Sequence, residues 1–341
     1  RLAAPLVGLL AADGWQAERV PQTAVGDQVL ARRDAPGEVS TLLLCHFDTV
    51  WPLGTLHQMP LRRDGDKFYG PGTLDMKAGV ALAVHALRLL SAAGRAPPGP
   101  VTLLLTSDEE MGSHHSRALI EAQAGAHERV FVLEPAREDG ALKLGRKGVG
   151  GFKLHFRGVS AHAGNNPRAG ASALRELAHF LLFAEDLNDD GAGTSVNLTV
   201  ARGGSVSNVI AEEAWAEVDL RALAGGEGER VENAVRNYAP RDPRVIVTVE
   251  GGINRPPLEA TEANRALFAT AERLAAQSGM GALRGATVGG GSDGNFTSAL
   301  GVPTLDGLGG VGEGPHARHE HIRVGETLAR LALLAALLAE A

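Results

Sequence analysis

Leu103-Leu104-Leu105-Thr106-Ser107-Asp108-Glu109-Glu110-Met111-Gly112-Ser113 runs from a short apolar segment straight into three adjacent acids. A buried parallel strand reads as such an uninterrupted aliphatic run, and in open α/β sheets ligands gather outside the carboxyl ends of the strands. Asp108, Glu109 and Glu110 therefore stand where a site is expected. Taken alone, the same acids also suit a helix start, where carboxylates oppose the macrodipole. Two further segments decide between these readings. Thr41-Leu-Leu-Leu-Cys45 ends in His46-Phe47-Asp48, and Val130-Phe-Val-Leu133 ends in Glu134-Pro135, where the proline stops the ladder. On a parallel sheet these ends converge on one edge. Carboxylates that close together repel strongly, and a divalent cation is the usual remedy.

The neighbouring segments fit a metal site. His46 and Asp48 are two residues apart and point the same way in an extended chain, so the carboxylate can orient a metal-bound imidazole. Tyr69-Gly-Pro-Gly-Thr-Leu-Asp75-Met-Lys-Ala-Gly79 leads into a helical stretch through Val80, Val84, Leu87 and Leu90. Asp75 suits an N-cap, or a pocket if the glycines upstream turn the backbone sharply. The Gly-Pro-Gly is not a phosphate loop, because the Walker Lys-Ser/Thr pair is absent. Gly314-Pro-His316-Ala-Arg-His319-Glu320-His321 is either a metal-rich tract or a solvated loop.

Composition bounds the class. At 341 residues the chain exceeds the usual size of one core, so two domains are expected. Aromatics make up only 4% against 44% hydrophobic residues, which describes a core of Leu, Val and Ala. A net charge of −7 without a sustained basic block argues against nucleic acid as partner. Cys45 is the only cysteine, so no intrachain disulfide forms and a metal falls to His and carboxylates. No apolar run approaches the ~18 residues of a membrane span. The first residues lack a signal-peptide pattern and read as helix from a non-Met start, which points to missing upstream residues. A cytoplasmic location is favoured, with a periplasmic or secreted one left open.

Beyond Arg146 the punctuation changes. Residues 150–157 alternate as a strand, 167–185 read as a helix with Leu174, Leu177 and Leu181 inward, and 195–201 with 214–221 are two more strands. A helix over 227–238 and a strand over 245–249 complete a β-α-β-β-α-β order. The expected organisation is a catalytic domain of residues 1–147 and 258–341 interrupted by an insert of residues 148–257. The fold class is α/β: a mixed, largely parallel sheet with helices on both faces, plus a ferredoxin-like insert. Within the insert, Ser160-Ala-His162-Ala-Gly164 follows a strand and Ser207-Asn208-Val-Ile210 lies between strands. Gly289-Gly290-Gly-Ser-Asp-Gly-Asn295 offers backbone N–H groups suited to an anion. The last helix is expected to turn Leu328, Leu331, Leu334 and Leu338 to one face.

In order and at ordinary spacing, His46-x-Asp48, Gly-x-x-Asp75-Met-Lys-x-Gly79, Asp108-Glu-Glu110, Leu133-Glu-Pro135, His162-Ala-Gly164, Asn208-Val-Ile210 and His316-x-x-x-Glu320 make a specific set. The chain resembles the co-catalytic dizinc amidohydrolases and peptidases that include glutamate carboxypeptidase, acetylornithine deacetylase and succinyl-diaminopimelate desuccinylase. It is nearest to the glutamate carboxypeptidase branch through Tyr69-Gly-Pro-Gly72, Arg255-Pro-Pro257 and Ser292-Asp-Gly-Asn295. The resemblance implies a hydrolase with two zinc ions per chain, cobalt or manganese being possible substitutes, that cleaves an amide next to a free carboxylate. Asp75 would bridge the metals, His46 and Glu134 would complete one site, and Glu110 and His316 the other. Glu109 would be the general base, with Asp48 behind His46. The insert would act as lid and dimerisation domain of a homodimer. His162 would stabilise the oxyanion in the partner subunit's site, and Asn208, Arg221 and Gly290 would meet a small N-acyl amino acid or peptide, Arg221 holding its carboxylate. An N-acyl-amino-acid deacylase is the alternative, and a non-catalytic metal- or peptide-binding protein on the same scaffold is a third reading.

Overall fold

The computed structural model describes residues 2–340; Arg1 and Ala341, the outer ends of the expected catalytic domain, lie outside the described residues. The chain divides into two compact units. One runs to Gly145 and resumes over Leu258–Val288 and from Ser292 onward; the other is Arg146–Pro257 with Gly289–Gly291.

The first unit is built on a six-stranded sheet ordered Gln16–Val20, Gln28–Arg33, Val101–Thr106, Thr41–His46, Arg129–Val132 and Thr304–Leu305. The last four pair in parallel, and the first two add an antiparallel edge. Side chains alternate across the sheet. Leu43, Leu103, Leu105 and Phe131 pack with Ala83 and Leu87 of the helix Ala78–Ala92 and Leu333 and Leu337 of the helix Val324–Leu338. Leu42, Leu44, Leu104, Val130 and Val132 pack on the other face with Ile120 of Arg117–Gly125 and Phe296 of Gly294–Ala299. Burial on both faces is why these strands read as unbroken aliphatic runs. The parallel register sets Cys45 opposite Leu105 and His46 opposite Thr106, so the residues that follow both strands emerge at one edge.

A second, four-stranded sheet of Gly312–Glu313, His321–Arg323, Lys67–Tyr69 and Arg62–Asp64 ties the chain around His316 to the segment before Asp75, with His321 opposite Tyr69. The last helix differs from its expected face: Leu333, Leu334, Leu337 and Leu338 are buried, whereas Leu328 is 58% exposed. Its first turns instead direct polar groups inward, since Thr327 Oγ1 accepts from the Val311 N–H at 3.2 Å and the Arg330 guanidinium donates to the Gly140 carbonyl. Among the described residues, no helix is long and apolar enough to cross a membrane.

The second unit is a four-stranded antiparallel sheet ordered Ser195–Gly203, Glu213–Ala222, Gly148–Arg157 and Ile246–Arg255, with the helices Ala173–Glu185 and Gly225–Arg236 packed on one core. The first of these helices starts later than its apolar pattern suggests. Residues Pro167–Ala169 form a 3-10 turn, and Ser172 caps the helix by accepting from the Arg175 N–H at 3.2 Å. Its inward stripe is Ala173, Leu177, Phe180 and Ala184, while Leu174 and Leu181 face out. The aromatic ring of Phe180 is the reason: it meets Phe156 and Tyr238 at 5.8 and 5.1 Å. The same rotation buries Glu176, which accepts from Tyr238 Oη at 2.6 Å and the Arg241 N–H at 2.9 Å.

Candidate metal centre

The helix after the Gly-Pro-Gly segment begins only at Ala78, with Lys77 at its cap position, so Asp75 does not cap it. Asp75 lies in the preceding turn with φ −113° and ψ 97°. Gly72 enters that turn at φ 70°, where a side chain is strained, and a Cβ there would come within 2.5 Å of Thr49 Cγ2. The turn sets Asp75 Oδ1 3.1 Å from His46 Nε2 and Oδ2 3.3 Å from His316 Nε2. His46 Nε2 is also 3.3 Å from Glu134 Oε1, and His316 Nε2 is 3.2 Å from Glu110 Oε2. Two donor groups result, His46/Asp75/Glu134 and Asp75/Glu110/His316, each with one ligand atom per residue within 4.8 Å of the others. Asp75 is common to both. Glu109, His319 and His321 are in neither, and His321 instead packs its ring 4.9 Å from that of Tyr69. His316 itself sits at φ 62°, a sparsely populated conformation for a residue with a Cβ, of the sort that gathers at functional sites.

Neighbouring groups orient these donors. His46 Nδ1 is 3.2 Å from the Asp48 carbonyl oxygen and 3.4 Å from its Oδ1, which fixes the ring proton on Nδ1 and leaves Nε2 facing Asp75 and Glu134. Asp48 Oδ2 in turn accepts from the Glu110 N–H at 3.0 Å. Gly79 lets the helix Ala78–Ala92 approach the strand end before Glu134: a Cβ there would lie 2.1 Å from the Leu133 carbonyl oxygen. Asp108 is buried beneath the turn and accepts from the His115 N–H at 2.8 Å.

The electrostatics fit a cation. Burial, then the charge of Asp75, pushes the Glu110 carboxyl up to about 7. Glu110 Oε1 is buried without a hydrogen-bond partner. Burial would lower the His46 imidazole, yet Asp48, Asp75 and Glu134 outweigh it and hold it well above its ordinary value. His316 rises to about 9 through its hydrogen bond to Asp75, against a smaller opposing effect of burial. Burial raises the Asp75 carboxyl, but the two imidazoles more than reverse this and keep it ionised. Two imidazole nitrogens and three carboxylates converging in this way form an N/O donor set suited to divalent transition metals. Burial drives the Cys45 thiol well above its ordinary range, so it stays protonated and is no donor.

His162, Asn208, Arg221 and Gly290 belong to the second unit. His162 is exposed, and its Nδ1 accepts from the N–H groups of Gly164 and Asn165 at 3.2 and 3.1 Å, so its proton sits on Nε2. The Asn208 carbonyl accepts from the Ala163 N–H at 2.9 Å, joining the two loops. Arg221 is engaged by Asp219 through Nε and Nη2, both at 2.9 Å. The Gly290 carbonyl accepts from Arg146 Nη1 at 3.1 Å. The second half of the glycine-rich loop is less open than its sequence suggests: Ser292 and Asn295 are fully buried, and Ser292 Oγ donates to Asp306 at 2.7 Å. Sequence reasoning missed Lys143, whose Nζ is 3.8 Å from Glu134 Oε2, because nothing marks it within its strand. It also missed that the Glu320 carboxylate is buried against the Asp75 turn, although the acid's place in a His-rich tract was a signal.

A family model described as peptidase family M20/M25/M40 matches residues 42–340. The chain is 32% identical over 322 residues to carboxypeptidase G2 of a Pseudomonas species, covering 92% of this chain and 77% of the relative. It also matches probable carboxypeptidases of fungi, spanning 51% of the length of the one from Arthroderma otae. Among solved structures, aminopeptidase PepT of Bacillus cereus superposes with a TM-score of 0.83 at 21% identity, over 99% of this chain and 92% of that one. The YXEP protein of Bacillus subtilis, a dinuclear metal-binding peptidase of the M20 family, superposes with a TM-score of 0.67 at 15% identity, over 99% and 90%.

Proposed function

The chain belongs to peptidase family M20/M25/M40, and on that premise we propose that it is a dimetal carboxypeptidase of the glutamate-carboxypeptidase kind, releasing a C-terminal amino acid from a small N-acyl amino acid or peptide. The observation that carries this reading is the pair of donor groups sharing Asp75, with Glu109 next to Glu110 yet outside both groups. In this reading Asp75, His46 and Glu134 would hold one metal, and Asp75, Glu110 and His316 would hold the other. Zinc is the expected ion, with cobalt or manganese as substitutes, since selection follows availability as well as ligand type. When bound, the cations supply a water acidified towards neutral pH and polarise the scissile carbonyl.

Glu109 takes a proton from the attacking water and delivers it to the leaving amine as the C–O bond forms and the C–N bond breaks. Asp48 holds His46 in one tautomer throughout. The Nε2–H of His162 suits donation to the oxyanion of the tetrahedral intermediate. Arg221 would hold the substrate carboxylate, sharing or exchanging its bidentate pairing with Asp219, and Asn208 and Gly290 would be further substrate contacts. A homodimer through the second unit lets His162 serve the partner's site.

The test is a hydrolysis panel on metal-reconstituted protein in which the acyl half and the C-terminal amino acid vary independently. Faster cleavage of dipeptides and bulky N-acyl amino acids ending in glutamate than of N-acetyl amino acids with other side chains supports the carboxypeptidase. The reverse order would make it an N-acyl-amino-acid deacylase. No hydrolysis with zinc, cobalt or manganese would refute both.

A further inference from the structure

Glu320 is 1% exposed, and its carboxylate gathers four N–H donors. Oε1 accepts from the backbone N–H groups of Leu74 at 2.9 Å and Asp75 at 3.1 Å. Oε2 accepts from the Gly72 N–H at 2.8 Å and the Trp51 indole at 3.0 Å. The Glu320 carbonyl also accepts from the Gly70 N–H at 3.3 Å. Its own segment is the loop carrying His316, held by turns from Ala317 N–H to the Gly314 carbonyl at 3.0 Å and from Glu320 N–H to the Ala317 carbonyl at 2.9 Å. One buried charge thus joins three stretches of the first unit: the turn that aims Asp75, the loop that carries His316, and the loop entered at Trp51 after Asp48.

We propose that Glu320 is a positioning residue that fixes the Asp75 carboxylate between His46 and His316 by clamping the backbone of Gly72–Asp75, with Trp51 as the fourth donor to the clamp. The energetic reason is that hydrogen bonds to an ionised acceptor are roughly twice as strong as neutral ones, and a buried carboxylate is tolerated only when its oxygens are satisfied. The Asp75 turn is an irregular π-type turn: φ and ψ at Asp75 and Met76 are non-helical, and the backbone bonds that span it run from the Lys77 N–H to the Gly72 carbonyl at 3.0 Å and from the Ala78 N–H to the Thr73 carbonyl. Without the clamp the turn would keep its place in the chain but not the aim of its side chain. An amide cannot replace the carboxylate, because a glutamine offers one acceptor oxygen and one NH2. Whichever end carries the NH2 would confront two N–H donors.

This inference rests on Asp75 being a metal ligand, and the experiment separates the two. Full-length wild type, Glu320→Gln, Trp51→Phe and the double variant are prepared without metal and titrated with zinc against a competing chelator. Hydrogen exchange of the Leu74 and Asp75 amides is measured on the same zinc-free samples. Glu320→Gln should weaken zinc binding about 10–100-fold, the usual cost of losing an outer partner of a metal ligand, and speed exchange at both amides. It should lower kcat with KM within about twofold, because the substrate contacts are untouched. Trp51→Phe keeps three donors and should cost much less. Combined with Glu320→Gln it removes one of the opposed donors, so the double variant should lose less than the product of the two single losses. Wild-type zinc affinity and wild-type amide exchange in Glu320→Gln would overturn the proposal. A wild type that binds no zinc would defeat the metal assignment alone, and amide exchange would still test the clamp. If Glu320→Gln does not fold, Glu320→Asp, which keeps both oxygens but shortens their reach, takes its place: weakened zinc binding with faster exchange supports the clamp, and wild-type values of both overturn it.

Discussion

Metal-linked stability should separate the five proposed ligands from their neighbours, because the two donor groups share a single residue. A ligand that binds only the folded state stabilises it by RT ln(1 + [L]/Kd), about 2.7 kcal/mol per site at a free concentration of about 100 Kd. Two sites on the wild type then contribute about 5.4 kcal/mol. For a cooperative unit of roughly 150–250 residues, at about 2–4 °C per kcal/mol, zinc should raise Tm by about 11–22 °C. Glu110→Gln removes one ligand from the Asp75/Glu110/His316 group and none from the other, so its zinc-dependent rise should fall to about 5–11 °C. Asp75→Ala removes the residue common to both groups and should abolish the rise. Glu109→Gln touches neither group and should keep the full rise, although its side chain is adjacent in sequence to Glu110. The assay is differential scanning fluorimetry of each variant with and without zinc, at fixed pH and matched free metal, backed by elemental analysis. Equal rises for Glu109→Gln and Glu110→Gln, or two metals retained by Asp75→Ala, would refute the shared-ligand geometry.

The same Glu109→Gln protein should lose about 10²–10⁴-fold in turnover, the range for a general base, and near-normal kcat would remove Glu109 from that role. Gly79→Ala should destabilise the first unit and weaken zinc binding, because its methyl group would lie 2.1 Å from the Leu133 carbonyl, next to Glu134; an unchanged urea midpoint and zinc affinity would contradict that packing. His127 donates from Nδ1 to the Gln123 carbonyl at 2.6 Å and lies 2.7 Å from Thr102 Oγ1 through Nε2, and burial lowers its pKa. Its folded form therefore resists protonation. The stability it contributes is fully present above the ordinary histidine value near ~6.5 and is lost as pH falls below it. The urea midpoint of wild type should drop more between pH 8 and 5 than that of His127→Gln, and parallel curves would rule the effect out. Mixing inactive Glu109→Gln and His162→Ala chains should restore part of the activity if His162 serves the partner's site, whereas no recovery in mixed dimers would count against a trans histidine.

Much of the site was readable because its parts sit at strand ends. Period and burial mark Thr41–His46, Val101–Thr106 and Arg129–Val132 as interior strands, and a His or carboxylate just beyond an interior strand has few other uses. Helix faces were less readable. Leu174, Leu181 and Leu328 have the right spacing for a core stripe yet point outward, since leucines on adjacent stripes give the same periodicity and only the neighbours choose between them. Phe180 wins through two aromatic partners, and Thr327 and Arg330 turn the first part of the last helix through hydrogen bonds to Val311 and to the distant Gly140. Asp75 was ambiguous for a similar reason. An aspartate before a helix suits a cap, and only the start of that helix at Ala78, with the cap position on Lys77, excludes it.

The sequence by itself determined the α/β class and the family of the chain, because these depend on local periodicity, strand-end chemistry and ordered motifs. The resemblance already implied a shared Asp75 and His316 as ligands; the tertiary structure added the distances that set Asp75 between His46 and His316 and leave His319 and His321 outside the donor groups, and it alone showed that the Glu320 carboxylate accepts from the Asp75 turn. Those choices turn on distances between segments some 245 residues apart, where Asp75 meets Glu320. Such contacts follow from packing and hydrogen-bond satisfaction across the whole unit, and periodicity and local propensity do not encode them.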